Sequence, residues 1–210
     1  MRVSDVIHCV DRPCTDVRHD LLSVPDVDIS PASVRMVLVS EAAAPRAEDG
    51  YYASDAGLFA KTTLQAFRDA GTQVNGIREL MRSGVYLTTA VKCAKTAYGL
   101  VTPTVHTCSR LLQRELDLFP RLRALLLMGD VAIKAVNHIA RCAGEPRVIP
   151  PGSTFRLRGS AYFWRGVRVF PSYVQAGPSF FIETSKRRMI AEDIATALAL
   201  IDRDGARRLT

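Results

Sequence analysis

Three short, nearly continuous apolar runs alternate with stretches of helical periodicity, and this alternation leaves few folds open to the chain. SVRMVLVS (33–40), GVYLTTAVKC (84–93) and ALLLMG (124–129) read as strands covered on both faces of a parallel sheet. Between and after them, LFAKTTLQAFRDAG (58–71), TVHTCSRLLQRELDLF (104–119) and DVAIKAVNHIARCAG (130–144) carry apolar residues at helical spacing. Asp130 is an N-cap candidate, and Gly71 and Gly144 are stop signals. TFRLRGSAYFWRGVRVFPS (154–172) alternates like a hairpin that leads into a fourth buried strand, and a last helix follows over 184–203. The pattern predicts an α/β protein: a single three-layer α/β/α domain around a four-stranded parallel sheet, spanning 33–210. Residues 1–32, punctuated by Pro13, Pro25 and Pro31, are expected to form an irregular N-terminal segment.

Open α/β sheets bind ligands beyond the carboxyl ends of their strands. That rule singles out Ser40-Glu41, Thr88-Thr89, Gly129-Asp130 and Phe170-Pro171-Ser172. Glu41 is the acidic residue at the first strand end and so the candidate catalytic carboxylate; the alternative is a loop-capping or salt-bridging glutamate. Glu48 and Asp49 are candidates to share its role, or else form a solvated acidic turn. No Gly-rich nucleotide loop and no Ser-His-Asp arrangement with usable spacing is present.

Charge bears on partners. The 210 residues hold 28 Lys+Arg against 21 Asp+Glu, a net +7. This fits a polyanionic partner, or ordinary solubility charge. Positive residues gather between Arg156 and Arg188, interleaved with aromatics, which suits phosphates outside and stacked bases within. No run is long enough for a membrane helix, and the N-terminus lacks the apolar core of a signal peptide. A cytoplasmic monomer is expected. In that compartment the five cysteines are expected to bind metal, do chemistry or pack in the core rather than form disulfides. Cys142 and His138, on a helix of apolar periodicity, are expected to pack; His106, two residues before Cys108, is expected to be an isolated histidine, with support of Cys108 or contact with DNA as the alternatives.

Five motifs appear in order: SEAAAPRAEDGYYASDAG (40–57), VYLTTAVKC (85–93), PTVHTC (103–108), MGDVAIKA (128–135) and FPS (170–172). Together they resemble the uracil-DNA glycosylase superfamily, nearest its iron–sulfur branch, over about residues 33–200. In that branch the corresponding stretches read G-E-A-P-G with a following G-x-P-F-V-G-x-A-G, V-Y-I-T-N-V-V-K-C, P-T-x-x-E-x-x-C, L-G-x-x-A and H-P-S. The resemblance implies a [4Fe–4S] cluster on Cys9, Cys14, Cys93 and Cys108, with zinc on the same thiolates, or no metal, as alternatives. The first pair is spaced C-x4-C where the branch has C-x2-C. The cluster would be structural, tying the N-terminal segment to the loop that follows the second strand.

The resemblance further implies DNA as partner and hydrolysis of the N-glycosidic bond of a flipped, damaged base, uracil or another deaminated base. Glu41 would supply the carboxylate. Ala42, Tyr52, Thr89, Phe170 and Ser172 would form the base pocket, Tyr52 standing where the family has its stacking Phe. Lys92, Lys95, Tyr173, Val174, Gln175, Lys186, Arg187 and Arg188 would contact DNA, with Tyr173 and Val174 as the wedge. The departures are specific. Thr89 replaces a base-reading Asn and Phe170 replaces a His that donates to the base, so the pocket is expected to be less polar. A catalytically weak or inactive DNA-binding relative is therefore the alternative, and a small-molecule-binding α/β protein is a third. All of these site assignments assume that Glu41 and Tyr52 face one slot at the rim of the sheet.

Overall fold

The computed structural model describes residues 1–206, with side chains through 202; the last four residues of the expected 33–210 unit lie outside the described residues. In chain order the elements are β1 (Val17–Leu22), β2 (Met36–Ala43), α1 (Leu58–Asp69), α2 (Ile77–Arg82) and β3 (Val85–Lys95). They continue with α3 (Thr102–Leu116), β4 (Ala124–Met128), α4 (Asp130–Cys142), α5 (Thr154–Leu157) and β5 (Tyr162–Trp164). β6 (Val167–Ser172), α6 (Ser179–Ile182) and α7 (Thr184–Ala206) complete the described chain.

The sheet has six strands, ordered β1-β3-β2-β4-β6-β5, rather than the expected four. The inner four run parallel, and the edge strands β1 and β5 are antiparallel to their neighbours. β1 lies inside the segment expected to be irregular. Its sequence VRHDLL places only Val17 in the core, so no apolar run announces it. β5 is three residues long and forms the first arm of the expected hairpin with β6.

Side chains alternate across each central strand, and the two faces fill separate cores. Val37, Val39, Leu125, Leu127 and Val169 pack beneath α3 and α4. Met36, Leu38, Leu126, Met128 and Phe170 pack beneath α1, α2 and α7. The result is the three-layer α/β/α arrangement. No helix among the described residues is long and apolar enough to cross a membrane.

After β2 the chain crosses to the β3 side of the sheet; after β3 it returns across β2 to β4. The connections therefore reverse direction between β2 and β4. A crevice opens at such a reversal because the helices leaving the two strands lie on opposite faces.

Candidate active site

That crevice is a cleft of about 750 Å³, with Glu41, Phe59, Lys95, Gly129, Ser172 and Tyr173 in its wall. Glu41 sits near the carboxyl end of β2. Its Oε2 lies 3.5 Å from Lys95 Nζ at the end of β3, and the two side chains are 24% and 36% exposed. Gly129 ends β4 at φ 98°, and a Cβ built there would stand 2.8 Å from Glu41 Oε1 and 2.5 Å from Val174 Cγ2. Only glycine permits both the backbone angle and this approach.

Beneath the cleft, Ser172 Oγ donates to Asp193 Oδ2 at 2.6 Å, and Arg158 donates to Asp193 Oδ1 at 2.8 Å. Burial pushes the Asp193 carboxyl up, against the bonds from Ser172 and Arg158 that pull it down. Neither Arg158 nor Asp193 carries a sequence signature; Arg158, just past the end of α5, reaches α7 through its guanidinium, which bonds the Met189 carbonyl, Glu192 and Asp193.

The remaining expected residues separate into those the fold brings to this cleft and those it does not. Ala42, Lys95, Ser172, Tyr173, Val174 and Lys186 line it. Tyr52 does not. Its hydroxyl donates to the Leu87 carbonyl at 2.9 Å and accepts from the Leu87 N–H at 2.8 Å. Tyr52 instead borders a second depression at the other end of the strands. Glu41 and Tyr52 therefore do not frame one slot; the aromatic residues that line Glu41's cleft are Phe59, Tyr98 and Tyr173. Thr89 is buried and spends its hydroxyl proton on the Val91 carbonyl, 2.9 Å away. Phe170 lies within β6, on the α7 face under the Arg168 guanidinium, whose centre is 4.5 Å from the ring centroid.

Two expected DNA contacts are internal. Lys92 is fully buried, with Nζ 2.5 Å from Glu115 Oε2 and 2.7 Å from Thr88 Oγ1. The cause is strand length: β3 continues to Lys95, so Lys92 falls on the same inward face as Tyr86 and Thr88. Gln175 is fully buried and donates to the Tyr51 hydroxyl at 2.8 Å and to Ser40 Oγ at 3.2 Å; Ser40 and Tyr51 also bond each other. Burial pushes the Tyr51 phenol up to about 12.

The helical cations are surface groups with partners. Lys186 bonds Glu183 at 2.7 Å, Arg187 bonds Asp69, and Arg188 lies 3.7 Å from Glu192. Asp49 caps α1, accepting from the Leu58 N–H at 3.1 Å, and Glu48 lies 3.6 Å from Arg46. Tyr98, which the sequence places beside Lys95 on the loop expected to face a phosphate backbone, is almost wholly exposed after β3, with Lys95 Nζ 5.7 Å from its ring centroid.

The cysteines converge from distant positions. Cys93 and Cys108 are buried, and Cys9 and Cys14 partly so. Burial lifts the Cys93 thiol to about 12, and the neighbouring Cys108, Cys9 and Cys14 add to the rise. Burial lifts Cys108 to about 11, against an N–H from Lys92 that donates to its sulfur at 3.1 Å. Asp16 ties the two segments together, accepting from the Val101 N–H at 2.7 Å and from the Thr104 hydroxyl. Among the described residues no group of three or more His, Cys, Asp or Glu side chains is arranged to hold a metal ion. Cys142, expected in the core, is exposed, with Sγ 3.4 Å from His138 Nε2. His106 and His138 stack face to face at 3.7 Å, joining α3 to α4.

A three-layer α/β/α sheet with a cleft of mixed charge at its reversal point defines a class of ligand-binding and catalytic domains. The comparisons narrow that class. The profile of the uracil DNA glycosylase superfamily matches residues 27–192, and the chain belongs to this superfamily of DNA glycosylases. Among solved structures it is similar to the wild-type UNG crystal structure from Nitratifractor salsuginis. That likeness has 15% identity, 81% of this chain and 75% of that one covered, and a TM-score of 0.38. No curated protein sequence matches the chain.

Proposed function

We propose that the protein is a DNA-repair glycosylase that hydrolyses the N-glycosidic bond of a uracil or other deaminated base turned out of the helix into the Glu41 cleft. The observation that carries this reading is the partly exposed Glu41 carboxylate at the sheet's reversal point, in a chain of this superfamily. A departing base leaves positive charge on the sugar, and a fixed carboxylate stabilises it or orients the attacking water. Phe59 supplies an apolar wall for the base. The exposed Phe181 and Ile182 on α6 suit a helix-opening wedge better than Val174, whose methyl is packed toward Gly129. In this reading the protein works on DNA as a cytoplasmic monomer.

A [4Fe–4S] cluster on Cys9, Cys14, Cys93 and Cys108 belongs to the same proposal. The four thiols lie within reach of one another's charge, which supports a shared thiolate-ligated centre, with zinc on the same cysteines as the alternative. The Lys92 N–H on Cys108 is the kind of donor that stabilises a ligating thiolate. The cluster would be structural, fastening the residues before β1 to the end of β3.

A catalytically weak, DNA-binding member is the second reading, and one observation favours it. No Asn, Gln or His is among the described residues that line the cleft, so base reading by an amide or imidazole is missing. An abasic-site assay over duplexes carrying uracil, hypoxanthine, xanthine and oxidised bases separates the two. Release of one base, reduced about a hundredfold or more by Glu41→Gln, supports the enzyme. Release of none, with salt-dependent duplex binding retained, supports the binding protein.

A further inference from the structure

The Lys95–Glu41 pair resembles an amine and a base placed for carbonyl chemistry more than it resembles a phosphate contact. Three lysines line the cleft. Lys134 is tied 2.5 Å from Asp130 one turn back on α4, and Lys186 is tied to Glu183 one turn back, both on exposed helix surface. Lys95 differs. It projects from the end of a central strand and its nearest acidic partner is the candidate catalytic carboxylate, 3.5 Å away. Any sugar whose C1′ is served by Glu41 therefore lies within reach of the Lys95 amine.

Base hydrolysis leaves a deoxyribose in equilibrium with its open aldehyde, the functional group that lysine amines capture as Schiff bases. We propose that Lys95 gives the protein a second activity, cleavage of the DNA strand at abasic sites by β-elimination. This rests on the glycosylase reading of the same cleft. Glu41 takes a proton from the Lys95 ammonium, the freed amine adds to C1′, and Glu41 returns the proton to the departing hydroxyl, which leaves as water and gives a protonated imine. Glu41 takes a C2′ proton, the electron pair forms the C2′–C3′ double bond, and the C3′–O bond breaks. The downstream strand departs with a 5′-phosphate. Water then hydrolyses the imine, releasing an unsaturated aldehyde on the upstream strand and restoring the amine. Water is the only co-reactant.

The test uses a duplex with a preformed abasic site, so that base recognition plays no part. The protein is incubated with it with and without sodium borohydride, which reduces the imine to a stable secondary amine. Expected results are strand scission without added alkali, a borohydride-dependent covalent adduct, and an adduct peptide whose modified residue is Lys95. Lys95→Gln lowers adduct formation about a hundredfold or more, because the nucleophile itself is gone. Base release and duplex binding are measured in parallel. An adduct at Lys134, Lys186 or the N-terminal amine overturns the proposal, as does duplex binding with no adduct. Absence of duplex binding as well overturns the glycosylase reading beneath it. Mapping the wild-type adduct keeps the test valid even if the variant folds poorly.

Discussion

Lys92 Nζ and Glu115 Oε2 stand 2.5 Å apart with neither side chain open to solvent, a full ion pair enclosed between β3 and α3. Tyr86 donates to Glu115 Oε1 at 2.6 Å, and Lys92 also donates to the Thr89 carbonyl at 2.6 Å, so the pair is enclosed and hydrogen-bonded. Removing one partner strands the other charge. Lys92→Met or Glu115→Leu alone should cost about 3–5 kcal/mol, and the double replacement clearly less than their sum. Urea denaturation of the three variants checks this. DNA affinity per folded molecule should not change with Lys92, because the residue reaches no surface.

Gly129 should be the most sensitive backbone position of the site. An alanine there meets Glu41 and Val174 at 2.8 and 2.5 Å while holding a φ of 98°. Gly129→Ala should cost about 1–3 kcal/mol of stability and displace the Glu41 carboxylate. Base release measured on the folded fraction should then fall further than the thermal midpoint alone accounts for.

The Asp69–Arg187 clip joins α1 to α7 and sets one acid-side term in stability. The Arg187 guanidinium holds the Asp69 carboxyl below its ordinary value of 3.8. A carboxyl depressed by folding stabilises the protein above its unfolded pKa, and the contribution disappears as pH falls through the folded value. The groups are partly exposed, so the effect is about 1 kcal/mol or less. Asp69→Asn should lower the denaturation midpoint at neutral pH and have no effect at a pH below the folded value. Equal losses at both pH values would refute the linkage.

Anaerobically purified protein should be brown, with thiolate-to-iron absorption that Cys14→Ser abolishes. Chelation with oxidation should make the residues before β1 sensitive to protease while the 33–200 domain resists. A colourless protein carrying one zinc per chain would replace the cluster by the competing ion.

Much of this architecture was legible because β2, β4 and α4 advertise themselves: continuous apolar runs and helical spacing survive any context. The sheet edges were not legible, since β1 buries one residue in six and gains its shape from pairing with β3. At the site, the strand-end rule found Glu41, Gly129 and Ser172. It misplaced Lys92 and Phe170. β3 runs on two residues past the expected 93, so Lys92 stays inside the sheet on the α3 face, and Phe170 lies two residues before the end of β6 on the α7 face. The sequence offers Gln175 and Tyr52 as contacts for DNA and base, but their polar groups are spent on internal partners, which no local pattern reveals.

The position of β1 has a consequence for handling and for evolution. Its pairing with β3 covers backbone groups that would otherwise offer a template to a passing chain. A shortened protein starting near residue 23 would keep every cleft residue, yet present a long, flat, apolar rim to its neighbours. Such a fragment should self-associate, so the N-terminal stretch that bears Cys9 and Cys14 also serves as a solubility guard.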